Sequence, residues 1–143
     1  GPLMLDLPIT AEDEALISAA TDVLRRNFEV GRHHVGAALR TRDGRVYTGV
    51  HVGSRRINVC AEEIAIGTAL SAGERDFAAV ASVIQMTPGE TPELTSPCGV
   101  CREVLSFYGP DMTVVYLDHG VPRKTRMADL LPGQWLLPGE TPP

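Results

Sequence analysis

Every cysteine in this chain falls in one of two short stretches, Val59-Cys60-Ala61-Glu62-Glu63 and Ser96-Pro97-Cys98-Gly99-Val100-Cys101-Arg102. Three thiolates, from Cys60, Cys98 and Cys101, can supply three ligands to one zinc ion and leave its fourth position open. That is the arrangement of a catalytic zinc rather than a closed structural one. Glu62 lies too close in sequence to Cys60 to be an easy second ligand, but it is well placed to face water at the metal. Zinc with an open position brings the pKa of bound water toward neutrality, and an adjacent carboxylate can take up the proton and return it to a leaving group. These residues therefore point to hydrolysis assisted by one zinc and one carboxylate. A structural zinc would need a fourth protein ligand, for which His33, His34, His51 and His119 are the candidates.

Such a site needs elements that bring the two stretches together. A thiolate is favoured where helix-start N–H groups point at it. Cys60 to Ala72 reads as a helix ended by Gly73, apolar on every side and so buried. Cys98 to Tyr108 reads as another helix, stopped by Gly109-Pro110, with Pro97 suited to its first turn. Upstream, Thr10-Ala11-Glu12-Asp13 is a capping box opening a helix whose apolar face is Leu16, Ile17, Ala20, Val23, Leu24 and Phe28. Val35–Leu39 and Arg45–Val52 form a hairpin around Asp43-Gly44. Ser54–Asn58 and Thr87–Pro97 read as loops, Phe77–Met86 and Met112–Leu117 as strands, and Asp118–Pro122 as a turn. Lys124–Met127 is a last short strand, followed by at most one helical turn at Ala128–Leu131. The order is an α/β layering, and the strands after the second and third helices are expected to be parallel neighbours.

The composition narrows the class. The chain has 143 residues, 43% of them hydrophobic, enough for one domain that buries roughly 70% of its unfolded surface. With 13 basic and 18 acidic residues the formal charge is −5, which argues against a nucleic-acid partner. No apolar run approaches the ~20 residues of a membrane span, and no signal-peptide pattern is visible. An odd cysteine count with a Cys-x-x-Cys suits metal binding in a reducing cytoplasm better than disulfides. The expected domain is 4–137, with Gly1-Pro2-Leu3 a cloning scar and the Pro-rich residues 138–143 a flexible tail.

The pattern Cys-x-Glu, a long gap, then Pro-Cys-x-x-Cys resembles the signature of zinc nucleobase deaminases in all-cysteine form. With Val35-Gly36-Ala37-Ala38-Leu39 and Asp43-Gly44-Arg45-Val46-Tyr47-Thr48-Gly49-Val50, the resemblance is to the cytidine deaminase family, from about Ala11 to Leu131. The short Val50–Cys60 spacing, Gly67-Thr68-Ala69 and Asp129-Leu130-Leu131-Pro132 look like its blasticidin S deaminase branch. The resemblance implies a three-layer α/β fold, with a mixed sheet of about five strands flanked by helices, and a homotetramer with one zinc per subunit. It also implies that Glu62 shuttles protons and that Ala61 presents backbone to a ring carbonyl. Two ribose-holding positions of cytidine deaminases are His51 and Gly53 here, and the position of a ring-packing phenylalanine is His33. Glu63 stands where many relatives place an arginine. The expected activity is release of ammonia from a small aminated pyrimidine-like ring, as a free base, a triazine-like ring or a modified nucleoside. The rival readings are a cytidine or blasticidin S deaminase with a rearranged sugar site, and a non-catalytic zinc-binding homologue.

Overall fold

The computed structural model describes residues 5–141; the expected cloning scar and the last two residues of the expected tail lie outside the described residues. Helix α1 (Ala11–Asn27) opens on the anticipated capping box: the Asp13 N–H donates to Thr10 Oγ1, and the Thr10 N–H donates to Asp13 Oδ2 at 2.8 Å. The same carboxylate, almost fully buried, accepts from Lys124 Nζ at 2.8 Å. Burial alone would raise the Asp13 carboxyl, but Lys124 and the two Thr10 donors outweigh it and hold the carboxyl below its ordinary value.

Strand β1 (Val35–Thr41) pairs antiparallel with β2 (Val46–Val50) and with β5 (Phe77–Ile84). The two-residue strands β3 (Val52–Gly53) and β4 (Asn58–Val59) make a separate small ladder leading into helix α2 (Ala61–Ser71). Strand β6 (Glu93–Thr95) precedes helix α3 (Gly99–Tyr108), and β7 (Thr113–Asp118) and β8 (Val121–Arg126) end on a 3₁₀ turn at Met127–Leu130. The main sheet runs β2-β1-β5-β7-β8, with β6 also paired to β5, six strands in all. β5 and β7 are parallel, as the helix between them requires.

The sheet separates two cores, and strand alternation assigns residues to each. Ala38, Ala79, Ala81 and Val83 pack against Leu16, Ala20 and Leu24 of α1. Ala37, Leu39 and Val80 face the other way, onto Ala65, Ile66 and Ala69 of α2 and Leu105 of α3. These are the three expected layers. Gly49 lets α2 lie directly on β2, since a Cβ there would meet Ala65 N at 2.7 Å.

Several boundaries differ from the sequence reading. The Arg45–Val52 run divides at His51: its N–H still bonds the Val35 carbonyl at 2.9 Å, in register with β1, while Val52 already pairs with Val59 in the small β3–β4 ladder. The Thr87–Pro97 loop contains β6, which pairs with Ser82–Ile84. β7 pairs with β5 at Ala79–Val80, so β6 satisfies backbone groups further along β5 that β7 does not reach. Ser54–Asn58 is not all loop, because Asn58 belongs to β4. The second helix is not buried on every side: Thr68 is exposed and Ile64, Gly67 and Leu70 are half-buried. Apolar composition says that a face seeks cover but not that the same chain supplies it.

Candidate metal centre and catalytic site

Cys60 and Cys98 are the N-cap residues of α2 and α3, and neither helix start has a side-chain cap. The backbone donors of the first turns therefore remain available to the sulfurs between them. Cys101, one turn into α3, completes the group and is buried. Cys60 Sγ lies 3.5 Å from Cys98 Sγ, and Cys98 Sγ lies 3.3 Å from Cys101 Sγ. All three sulfurs fall within 4.8 Å of one another. Zn–S bonds of about 2.3 Å at tetrahedral angles would set sulfurs ~3.8 Å apart, so this cradle is close to the required size. Among the described residues, no histidine nitrogen or carboxylate oxygen joins the set.

The donor chemistry also fits a cation. Burial raises the Cys60 thiol, which Cys98 and Glu63 help push up to about 12, and burial with Glu62 nearby raises Cys101 further still. Burial opposes ionisation of Cys98 too, but the backbone amides of Cys101 and Val100 help lower its thiol. Thiols this reluctant to ionise alone are deprotonated when they coordinate a divalent ion. The Cys101 thiol donates to Glu63 Oε2 at 3.5 Å, and Glu63 Oε1 is buried with no partner among the described residues. Arg102 does not pair with Glu63. Its guanidinium donates to the Pro97 carbonyl at 3.0 Å and the Leu130 carbonyl at 3.2 Å, holding the Cys98 loop against the 3₁₀ turn.

The sulfurs open into a cavity of about 320 Å³ lined also by Ala61, Glu62, His34, His51, Asn58 and Ser96. Glu62 is 4% exposed. Burial raises its carboxyl, and the charge of Glu63 adds to this, while contacts with Cys101 and Ser82 pull the other way. Ser96 ties the approach to Cys98 onto β7: its hydroxyl donates to the Leu117 carbonyl at 3.1 Å and accepts from the Leu117 N–H at 3.0 Å.

Six of the eight residues singled out in the sequence line this cavity: Cys60, Cys98, Cys101, Glu62, Ala61 and His51. His33 and Gly53 lie instead in a neighbouring cleft with Arg32, Ser54 and Arg55. The His33 ring bonds the His51 carbonyl through Nδ1 at 2.7 Å, and its other nitrogen is 3.9 Å from Glu29. The next residue, His34, is the one that enters the cavity, its ring centroid 4.1 Å from that of His51. Gly53 does not widen the pocket: a Cβ there would meet the Gly31 carbonyl oxygen at 2.6 Å. His34, Asn58 and Ser96 were not singled out as substrate residues; the signal that could have found Asn58 is its place two residues before Cys60.

Residues 10–117 match the family described as "Cytidine and deoxycytidylate deaminase zinc-binding region". A blasticidin-S deaminase from Bacillus cereus is 39% identical over 129 residues, covering 87% of this chain and 92% of that protein. A cytidine deaminase from Halalkalibacterium halodurans is 38% identical over 106 residues, covering 71% of this chain and 76% of that protein. The crystal structure of cytidine deaminase from Burkholderia pseudomallei superposes with a TM-score of 0.70 at 38% identity, covering 85% of this chain and 98% of that one. With a three-sulfur cradle, a buried carboxylate beside it and a matching three-layer fold, the chain belongs to the cytidine and deoxycytidylate deaminase family of zinc-binding enzymes.

Proposed function

We propose that this enzyme hydrolytically removes the amino group of an aminopyrimidine-like ring, with one zinc per subunit held by Cys60, Cys98 and Cys101. The observation that carries this reading is the meeting of three sulfurs and buried Glu62 in the wall of one cavity. Zinc bound there would supply the Lewis acidity that activates water near neutral pH. Glu62 takes one proton from the attacking water and delivers it to the ring nitrogen, then carries that water's second proton to the leaving amine. Its raised carboxyl is suited to carrying a proton closer to neutrality than an ordinary glutamate. Ala61, the first residue of α2, offers a helix-start N–H to a ring carbonyl.

A modified nucleoside of the blasticidin type is the favoured substrate, because the blasticidin-S deaminase is matched along most of its length. Plain cytidine is the second reading, supported by the cytidine deaminases at similar identity over a shorter span. We further propose a homotetramer working in the reducing cytoplasm, where three free thiols persist. No helix among the described residues is long and apolar enough to cross a membrane. The test is ammonia release by the zinc-loaded protein from blasticidin S, cytidine, cytosine and an aminotriazine. Turnover of blasticidin S well above cytidine is the expected result. A wide margin for cytidine would favour the second reading, and no release from any would leave the site without its proposed chemistry.

A further inference from the structure

Asn58 and His51 belong to a hydrogen-bond chain whose direction the backbone sets. The His34 N–H donates to His51 Nδ1 at 3.4 Å, so Nδ1 is the acceptor of the ring and Nε2 carries the proton. Nε2–H then donates to Asn58 Oδ1 at 2.6 Å. A flipped amide would set donor against donor, so the oxygen of Asn58 faces His51. Its Nδ2 group has no partner among the described residues, and the side chain lines the cavity that holds the sulfurs and Glu62. The ring behind it is fixed: His51 is 5% exposed and packs against His34.

The small β3–β4 ladder explains why the donor comes from Asn58. Gly53 pairs with Asn58 across it, and residues opposite one another direct their side chains to the same face. On the Gly53 side that face is closed by the Gly31 carbonyl and by the edge of the His51 ring, 2.6 and 3.0 Å from a would-be Cβ. Of the opposed pair, Asn58 alone carries a side chain. The turn that carries it is clamped by Ser54, whose hydroxyl accepts from the Ile57 N–H at 3.1 Å and donates to the Ile57 carbonyl at 3.1 Å.

We propose that Asn58, oriented by His51, is the specificity-determining contact of this site, its Nδ2 donating to an oxygen acceptor on the group attached to the substrate ring. This rests on the aminohydrolase reading. His51 is then a positioning residue that acts through Asn58, not a ligand for the substrate. Hydroxyl, ether and carbonyl oxygens suit the donor, whereas an ammonium at the same place would meet it with like polarity.

Steady-state kinetics of the zinc-loaded enzyme on blasticidin S, cytidine and cytosine tests the assignment. Asn58→Asp keeps an acceptor for His51 Nε2–H, removes the outward donor and adds a carboxylate charge; Asn58→Ala removes the donor without adding charge. Each is expected to raise KM about tenfold for whichever of blasticidin S and cytidine the wild type turns over, the size of one lost neutral hydrogen bond, with kcat within about twofold. Cytosine, which carries no attached group, should show no such rise. His51→Ala should raise KM similarly, and the double variant should be little worse than either, because the pair acts as a unit. Equal losses on cytosine and the larger substrates would mark Asn58 as merely structural and overturn the proposal. Penalties that multiply in the double variant would show that His51 meets the substrate itself, with the same consequence. A wild type that releases ammonia from none of the three, nor from an aminotriazine, overturns the underlying aminohydrolase reading, whereas active variants with unchanged KM overturn the role of Asn58 alone.

Discussion

In the proposed reaction Glu62 and the three cysteines divide the chemistry between them, and single substitutions separate their parts. Glu62→Gln preserves shape but cannot cycle a proton, so ammonia release is expected to fall by ~10²–10⁴-fold while zinc content and thermal midpoint stay near wild type. Parallel activity and metal assays on the purified variant check this, and retained activity would assign the proton to another group. The thiols have a different signature. Metal analysis should find about one zinc per wild-type chain, and Cys98→Ala should lose most of it, because two remaining thiolates make a poor site. Zinc far below one per chain and unaffected by the substitution would remove the metal centre from the account.

At the scale of elements, α1 is fastened by its own first turn. Asp13 closes the capping box and is buried beside Lys124, bonding α1 to β8. Breaking a buried pair by removing one partner costs on the order of 3–5 kcal/mol, so Asp13→Ala should lower the urea midpoint strongly. Asp13→Asn should lower it less, since the amide oxygen can still cap. The pH dependence has a definite sign. The folded carboxyl lies below its ordinary 3.8, so its contribution is complete above that value and is lost as pH falls toward the folded value. Urea denaturation of wild type and Asp13→Asn at a series of acidic pH values should therefore show the gap between them closing toward low pH. A constant gap would mean that ionisation of Asp13 contributes nothing.

The whole molecule leaves apolar surface for neighbours. Val100 and Phe107 stand 65% and 72% exposed on α3, and Trp135 is 75% exposed beyond the 3₁₀ turn. Phe107, Leu131, Trp135 and Leu137 line one cleft, and the half-exposed side of α2 adds to the uncovered area. Exposed apolar groups gathered in this way mark association surfaces. Light scattering at micromolar concentration is expected to give a mass four times that of the chain, and Phe107→Glu with Trp135→Glu should shift it to smaller species. A monomer from the wild type would exclude the tetramer.

What could be read from the amino acids alone was what depends on fixed offsets along the chain. Cys60 with Glu62, and Cys98 with Cys101, are local pairs whose spacing marks them as a candidate site wherever the helices go, and the structure gathers them around one cavity; the capping box at Thr10–Asp13 is equally self-contained. The parallel strands followed because a helix lies between them. The rest depended on partners distant in sequence. His33 and His34 differ by one position, and near a strand's start one position moves a side chain to the opposite side; only the placement of β1 beside His51 decided that His34 enters the cavity. β6 is too short to carry a period and exists because β5 has backbone left to satisfy. Gly53 matches a ribose-holding position in sequence, yet the Gly31 carbonyl leaves no room for a side chain there. The sequence by itself determined the candidate reactive groups, because their chemistry is intrinsic to residue type and local spacing. The tertiary structure alone decided which side chains surround them, because close packing and hydrogen-bond satisfaction are properties of segments brought together from far apart.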